Sequence, residues 1–440
     1  MEPVQGDEVP HLLAPDLAPW DRPGTTWHSA VRQGDGSGTV GSGTVGSEDR
    51  PGGNRGRAPG EPPAPDDGSP RHDGSPRYHG EPGTGPESGT GEAPEDAPEP
   101  PPTRRPPPVA GPGLRWTLAA LTLLLVLWAA TTVVPTTSRI AIDLALFAPL
   151  QTVVAVPVIA AAAHWRRWIA VTLGLAAAVT PWVLVAGYAA PDATKAPAGS
   201  VTLRVLAVDA DRGAVDPAAL TTTVQQHAID VLVISDLTDD LAHRLTVAGL
   251  SRLLVPRWVS LGAGATSGVG VWSREDLDAP RALDGFPLGA GTGALHTPDG
   301  PVLLVVAHVT APFPPSWPPT GDAGGWARQL RLLGEAASPG GAEEQRLHLS
   351  GRTPRLVVGS LNATPWNPQF RALAHQGLTD AADATGHGLR PTWPSWSALA
   401  LTPLDHVLVG RRTPVSATDT LSMPGTDHRA LLVTLSVPPG

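Results

Sequence analysis

The chain has 440 residues, a formal net charge of −10 at pH 7 and no cysteine. The lack of cysteine excludes disulfide bonds, thiolate metal sites and a cysteine nucleophile. The length leaves room for two or three structural units, and the acidic balance does not favour a protein built to bind nucleic acid.

Residues 1–112 are dominated by Gly, Pro, Ser, Asp and Glu and contain few aliphatic residues. The sequence Asp-Gly-Ser-Pro-Arg occurs in them twice, at 67–71 and 73–77. Such a composition buries too little apolar surface to offset chain entropy, so we expect a disordered tail. A solvated low-complexity segment is the simpler interpretation, and a docking segment for a cytoplasmic partner of unknown identity is the alternative.

Three apolar runs follow within residues 113–190, at about 116–134, 140–163 and 168–188. A run of about 20 residues, rising 1.5 Å per residue, crosses the roughly 30 Å hydrocarbon core of a bilayer. The pattern therefore predicts three transmembrane helices, followed by a linker at 191–200 and a domain at 201–440.

Arginines are concentrated in the segments that would lie on one side of a membrane crossed by these three runs. Three precede the first run and two lie between the second and the third: Arg104, Arg105, Arg115, Arg166 and Arg167. The turn between the first two runs contains only Arg139. The positive-inside rule then predicts a multi-pass protein of the cell membrane, with a cytoplasmic tail and an extracytoplasmic C-terminal domain.

The middle run contains Asp143, Pro149 and Pro157, which are typical of a broken or re-entrant segment. A re-entrant segment would reverse the side on which the C-terminal domain lies. Proline is tolerated in membrane helices, however, and Asp143 falls at the outer edge, where it reaches water. The length of the apolar run favours three spans.

The C-terminal domain alternates short β-branched segments with helical ones. Strands are predicted at 203–208, 229–234, 269–272, 302–307, 356–358, 407–409 and 431–435. Helices are predicted at 218–227, where Asp216 and Pro217 form a cap and first turn, and at 326–336 and 368–375. By itself this alternation is typical of a doubly wound parallel sheet.

Three polar blocks follow the later strands. They are residues 359–366, with Ser360 and Asn362, then the pair Asp405-His406, and finally Asp427-His428. In this order they resemble the endonuclease/exonuclease/phosphatase superfamily, whose corresponding blocks read Gly-Asp-Phe-Asn, Asp before His or Tyr, and Ser-Asp-His. Earlier segments complete the resemblance: Asp209 ends the first strand, Asp236 the second, residues 267–274 match the next strand, and His308 ends the one after.

The resemblance implies a different fold from the doubly wound sheet, namely a four-layer α/β/β/α sandwich of two mixed sheets. It also implies phosphoester hydrolysis with Mg²⁺ or Mn²⁺. The implied metal ligands are Asp236, Asp209 and Asp427. In the implied catalytic set, His428 binds or protonates a phosphoryl oxygen and is oriented by Asp405, while His308 and Asn362 contact the substrate phosphate.

Three positions depart from the family pattern. Asp209 replaces an asparagine, and Asp236 replaces a glutamate, which shortens that ligand by one bond of about 1.5 Å. Ser360 replaces the acidic residue that polarises the attacking water, and a neutral hydroxyl cannot accept that proton. Loss of a general base typically costs about 10²–10⁴ in rate. A slow, rearranged enzyme is one outcome, and a pseudoenzyme that binds a phosphorylated ligand is the other.

Simpler interpretations exist for the same residues. Asp209 and Asp236 suit turn-capping carboxylates, and His308 suits a structural histidine at a strand end. Trp366, Trp393 and Trp396 fit core or lid packing better than a binding rim. A structural or interaction module of the cell envelope is the further alternative, and the long tail is the only feature that points to it.

The charge of the domain bears on the substrate. From residue 201 onward there are 17 Arg and no Lys against 21 Asp and Glu, a net of −4. Duplex-binding domains usually carry a basic stripe, and none is visible. We therefore expect a membrane-anchored, metal-dependent phosphoesterase acting on a small or lipid-linked phosphoester rather than on nucleic acid.

Overall fold

A computed structural model of the protein describes residues 111–190, 195–261, 267–312, 322–397 and 402–438. The predicted disordered tail lies outside the described residues except for its last two positions. Residues 191–194 of the predicted linker lie outside them as well.

Four described helices form the apolar part of the chain: α1 (Pro112–Thr131), α2 (Arg139–Leu146), α3 (Ala148–His164) and α4 (Trp168–Leu184). A 3₁₀ turn, Ala186–Ala189, follows α4. The predicted middle span at 140–163 is two helices, which meet with a bend of 81°. The break falls just before Pro149, because proline has no N–H to donate and its ring clashes with the carbonyl one turn earlier.

By length and composition, the described residues include one helix able to cross a membrane, α1, or two when α2 and α3 count as one broken span. Helix α4 is apolar but has 17 residues, a length of about 26 Å at 1.5 Å per residue. The three-span arrangement therefore stays a prediction.

Helices α1, α3 and α4 pack around a shared apolar seam. Its buried residues are Leu125, Ala129, Ala155, Val158, Ala177 and Ala178. Small residues let the helices approach closely: a Cβ added to Gly174 would lie 2.8 Å from Cγ1 of Ile159. The outward faces expose large apolar side chains, among them Leu124, Val153 and Ile169.

The described strands form two six-stranded sheets. In the first, the spatial order is β11 (Val415–Ser422), β12 (Arg429–Val437), β1 (Val201–Asp209), β2 (Val231–Leu237), β4 (Gly268–Ser273) and β3 (Val255–Leu261). In the second, it is β5 (Leu277–Ala282), β6 (Ala290–Thr297), β7 (Gly300–His308), β8 (Arg355–Ser360), β10 (Asp405–Gly410) and β9 (Leu378–Asp380). Each sheet is mixed, since β1–β2 and β7–β8 pair parallel and the other neighbours antiparallel.

Alternating residues of the strands explain the layers. Leu203, Val205 and Ala207 of β1 point into an apolar layer between the sheets. The second sheet contributes Val302, Leu304 and Val306 of β7 to the same layer. Leu206 and Val208 of β1 point the other way, toward the helices on the outer face. The four-layer sandwich is therefore confirmed, and the doubly wound parallel sheet is not what forms.

Six further helices of the described residues complete the domain: α5 (Pro217–Gln226), α6 (Asp239–Val247), α7 (Ala323–Ala336), α8 (Ala342–Arg346), α9 (Pro368–Ala374) and α10 (Ala381–Thr385). Helices α5 and α6 cover the first sheet, while α7 and α9 cover the second. Asp216 caps α5 as predicted, since its side chain accepts from the backbone N–H of Ala218 at 2.8 Å.

Candidate active site

Polar side chains from both sheets converge at one edge of the sandwich. Asp209 and Asp236 lie at the ends of β1 and β2, and His308 and Ser360 pair with each other at the ends of β7 and β8. Asp405 begins β10, which runs antiparallel to β8, and it pairs directly with Ser360. Parallel neighbours end at the same edge of a sheet, so this topology brings distant residues together.

His428 and Asp405 form the tightest contact of the site, with Nδ1 of the imidazole 2.7 Å from Oδ2 of the carboxylate. Burial alone would lower the pKa of His428, but the carboxylates of Asp405 and then Asp209 raise that pKa to about 10. Burial likewise would raise the pKa of Asp405, yet His428 holds that pKa below its usual range. The pair is therefore an imidazolium and a carboxylate near neutral pH.

Asp209 completes a buried group with this pair. One ligand atom from each of Asp209, Asp405 and His428 lies within 4.8 Å of the others. Oδ1 of Asp209 accepts the backbone N–H of Asp211 at 3.0 Å, and its backbone carbonyl accepts the hydroxyl of Thr426 at 2.8 Å. The second contact ties the end of β1 to the turn that carries His428.

His308 lies between two carboxylates. Its Nε2 is 3.7 Å from Oδ2 of Asp209, and its Nδ1 is 3.5 Å from Oδ1 of Asp236. Among the described residues Nδ1 has no hydrogen-bond partner although it is buried. A histidine with a purely structural role would have a hydrogen-bond partner there. The arrangement therefore favours a histidine that contacts a ligand.

Ser360 lies in the middle of the same row, 1% exposed, with its backbone N–H donated to Oγ of Ser235 at 3.2 Å. That hydrogen bond joins the two sheets at the site. Within the described part of the chain, Oγ of Ser360 and Oδ1 of the neighbouring Asp405 are buried without hydrogen-bond partners. Ser360 and Asp405 face each other across β8 and β10, so two buried polar atoms without hydrogen bonds lie at the same position. Such a position is suited to a polar ligand.

The other two predicted metal ligands lie at the margin. Asp236 accepts the N–H of Arg212 at 2.8 Å with Oδ2 and the hydroxyl of Ser267 with Oδ1. Asp427 is 45% exposed, with Oδ1 3.8 Å from Nε2 of His428. The structure thus places Asp236 beside His308 and Asp427 beside His428, and the buried group of three contains neither of them.

Asn362 follows Ser360 by two residues in a left-handed conformation, with φ of 48°. Its side-chain amide donates to the carbonyl of Val309 at 2.8 Å, and its own carbonyl accepts the indole N–H of Trp326 at 3.0 Å. Asparagine is among the residues other than glycine that adopt this conformation most readily, which suits it to the turn at the end of β8. The contacts fix the loop that leaves β8.

Several residues of the site carry no motif in the sequence. The hydroxyl of Thr392 accepts the N–H of Asp405 at 3.2 Å, and the indole of Trp393 donates to Asp427 at 2.9 Å. Asp211 lies close enough that burial and then the charge of Asp427 raise the pKa of its carboxyl. Only the proximity of Asp211 to Asp209 in the chain offered a signal in advance.

The three tryptophans of the predicted rim separate in the structure. Trp366 is buried, as the packing interpretation predicts, and Trp393 is half-buried against Asp427. Trp396 is 81% exposed. Core packing therefore holds for Trp366 and does not hold for Trp396.

The fold and the site together define a class of protein, a two-sheet α/β sandwich with carboxylates and histidines gathered at one edge. The sequence profile described as the Endonuclease/Exonuclease/phosphatase family matches residues 202–428, and the chain belongs to this family. A search of curated proteins finds no match.

Solved structures with a similar fold share little sequence with the chain. A mannosyl-6-phosphatase of Bacteroides thetaiotaomicron is 14% identical, with a TM-score of 0.39 over 53% of this chain and 99% of that one. The D. rerio TDP2 complexed with single strand DNA product is 12% identical, with a TM-score of 0.42 over 54% and 99%. A family protein of Beutenbergia cavernae is 17% identical, with a TM-score of 0.39 over 54% and 72%.

Proposed function

We propose that the chain is a membrane-anchored, divalent-metal-dependent phosphoesterase whose catalytic domain, residues 201–440, lies outside the cytoplasm. The observation that carries this proposal is the buried group of Asp209, Asp405 and His428, whose ligand atoms lie within 4.8 Å of one another. Family membership supports hydrolysis of a phosphoester as the reaction class.

The residues fit a hard divalent cation. Mg²⁺ and Mn²⁺ prefer carboxylate oxygens, and the site has Asp209 together with Oδ1 of Asp405, an atom without a hydrogen-bond partner among the described residues. These two carboxylates would hold the metal, while Nδ1 of His428 stays on the other oxygen of Asp405. Once bound, the ion would supply charge neutralisation for the phosphoryl oxygens and an acidified water.

The histidines then contact the phosphate. Because Nδ1 of His428 faces Asp405, its protonated Nε2 is the atom that donates to a phosphoryl oxygen or to the leaving group. His308 provides a second contact beside Asp209. Asn362 already donates to Val309, so it acts mainly by holding the loop and has one amide hydrogen left for the substrate.

The carboxylate of Asp209, where the family has an asparagine, compensates for the acidic residue that Ser360 replaces. A proton acceptor is absent at position 360, whereas Asp209 brings a buried carboxylate into the same group as Asp405 and His428. In the proposed mechanism Asp209 takes part in polarising the attacking water in place of the family's residue. The site is rearranged, and the total number of carboxylates around it is preserved.

The apolar helices support membrane anchoring. Leu124, Val153 and Ile169 are exposed on the outward faces of α1, α3 and α4, where contact with water would be unfavourable. Arg166 and Arg167 lie at one end of α3 and α4, and the domain follows the other end. This supports a cytoplasmic position for the arginine turn and an outer position for the domain.

Charge and position together favour a small or lipid-linked phosphoester as the substrate. The domain has 17 Arg and no Lys against 21 acidic residues, which is unsuited to tracking a nucleic-acid backbone. A domain next to a bilayer meets phospholipid head groups directly.

The test is hydrolysis of bis(p-nitrophenyl) phosphate and a phospholipid panel by the full chain in detergent, with Mg²⁺, Mn²⁺ or EDTA. We expect metal-dependent turnover that falls by about 10²–10⁴ in His428→Ala, because the proton donor is lost. His387→Ala, in an exposed loop, is the matched control and should keep wild-type activity. A wild-type protein inactive with both metals would contradict the proposal.

A pseudoenzyme is the second candidate, and the neutral, buried Ser360 is the observation that favours it. Ser360→Asp separates the two. Activity that appears only in this variant would identify a disabled site on an intact scaffold. Activity in the wild type that is lost in Asp209→Asn would support the relocated carboxylate.

A further inference from the structure

The segment that follows β8 covers one end of the apolar helices. The indole of Trp366 donates to the carbonyl of Pro181 at 3.0 Å, and the guanidinium of Arg371 donates to that of Thr132. The last four carbonyls of a helix have no partner within it. Trp366 and Arg371 therefore satisfy carbonyls at the C-terminal ends of α4 and α1.

Two side-chain amides of the same segment also donate to backbone carbonyls of the apolar part of the chain. Asn367 donates to the carbonyl of Ile142 at 3.2 Å, and Gln369 donates to that of Thr136 at 2.6 Å. Asn367 is the N-cap residue of α9, but its Oδ1 accepts from Thr364 and makes no cap bond. The side chain holds the loop against the helices instead of capping its own helix.

A second connection runs from the end of the apolar helices into the site through three buried side chains. The hydroxyl of Tyr188 donates to Oδ2 of Asp380 at 3.0 Å, and the same oxygen is 2.9 Å from Nδ1 of His406. On the other side of the ring, Nε2 of His406 is 2.9 Å from the carbonyl of Ala363 and 3.1 Å from that of Pro403.

Both ring nitrogens of His406 thus face hydrogen-bond acceptors, one on the Asp380 carboxylate and two on the backbone. Ala363 follows Asn362 in the loop that leaves β8, and Pro403 precedes Asp405 by two residues. The ring therefore holds together two backbone segments that flank the site.

We propose that Tyr188, Asp380 and His406 are positioning residues that fix the active-site loop, residues 361–366, against the end of the apolar helices. The helices are then part of the framework of the site and not only an anchor. The expected effect on activity rests on the proposed function. The expected effect on the order of the loop is independent of it.

The test variant is Tyr188→Phe in the full chain in detergent, since it removes one hydroxyl and keeps the ring that packs against Trp366 and Ala382. Thr180→Val is the matched control, because it removes an exposed hydroxyl that bonds only within α4. Two readouts are compared for each variant: amide hydrogen exchange over residues 361–366, and kcat and KM with the phosphodiester.

We expect exchange in the loop to be about five- to tenfold faster in Tyr188→Phe and unchanged in Thr180→Val, as loss of one buried hydrogen bond implies. The N–H of Leu361 and of Thr364 are the amides to follow, since they donate to Leu404 and Asn367. For an active enzyme kcat should fall severalfold with KM unchanged. Asp380→Asn should produce the larger effect in both readouts.

Unchanged loop exchange in Tyr188→Phe would overturn the proposal, as would a uniform increase over all strands, which indicates a merely structural role. Faster loop exchange with an inactive wild type would support the positioning role while the proposed function fails. The two failures are therefore distinguishable.

Discussion

At the scale of single residues, the site shows a redistribution of charge. The family pattern expects an acid at position 360 and an amide at 209, and this chain has Ser360 and Asp209. Both positions are buried at the same edge of the sandwich. Because Asp209 joins Asp405 and His428, the number of carboxylates at this edge is kept, and Asp209 adds to the negative charge that stabilises the imidazolium.

The raised pKa of His428 predicts how stability depends on pH in metal-free protein. A histidine whose pKa is about 10 when folded and about 6.5 when unfolded contributes stability fully below about 6.5, and loses it as pH rises toward 10. The thermal midpoint of the full chain in EDTA should therefore fall across this range.

His428→Gln is the comparison for that measurement, since glutamine cannot titrate. Its midpoint should fall less steeply between pH 6.5 and 10 than that of the wild type. Parallel curves for the two proteins would mean that His428 is not the group responsible.

Residue roles were only partly predictable. The strand-end positions of Asp209 and His308 follow from apolar segments that stop at a polar residue, and Asp405 comes shortly before the apolar segment 407–409. The tight pairing of His428 with Asp405 spans 23 positions of chain and joins the two sheets, since Asp405 begins β10 and His428 directly precedes β12. Thr392 and Trp393 lie in an irregular segment, where side-chain partners are set by tertiary contacts that no local pattern reports.

At the scale of elements, the close approach of β7 and β8 decides the local geometry of the site. Gly359 has φ of 148° and pairs with Ala307, and an added Cβ would lie 1.9 Å from the carbonyl oxygen of Ala307. The obstacle is backbone, so no side-chain rotation relieves it. The glycine before Ser360 is therefore required for the two strands to meet.

We expect Gly359→Ala to lower the free energy of unfolding by at least about 2 kcal/mol, because strand β8 must move or its backbone strain must increase. Gly351→Ala, at a position with open space around the added Cβ, is the control and should change stability by less than about 0.5 kcal/mol. Thermal unfolding of both variants is the measurement. Equal midpoints would contradict the steric argument.

The elements that the sequence predicted and those it missed differ in composition. The seven predicted strands, all present in the structure, are rich in Val, Leu and Ile. Strand β5 contains Asp278, Pro280 and Arg281 on an exposed edge, and β6 contains Gly291 and Gly293. Both are held by pairing with neighbours rather than by their own propensity, which is why periodicity does not find them.

At the scale of the whole molecule, the lack of cysteine makes sidedness directly measurable. A single introduced cysteine is a unique reporter for a membrane-impermeant maleimide. Ala417→Cys, exposed on β11, should react in intact cells, and Ser47→Cys, in the tail, should react only after permeabilisation. Labelling of Ser47→Cys alone in intact cells would reverse the proposed topology.

Labelling of neither cysteine in intact cells, with both reactive after permeabilisation, would put tail and domain on the same side. That result would favour the re-entrant interpretation of α2 and α3, for which the 81° bend is the structural basis. The bend was foreseeable from Pro149, but its angle depends on how α2 packs against the domain, where Ile142 joins the core.

The hydrogen bonds from Trp366 and Arg371 to the ends of α4 and α1 have a kinetic consequence on the proposed membrane anchoring. A catalytic centre held at constant height above the bilayer does not search a volume. Its encounters with a lipid-linked substrate are governed by lateral diffusion and by the number of substrate molecules per unit area. Turnover would then follow the mole fraction of substrate in the membrane, and diluting the vesicles in buffer would leave it unchanged.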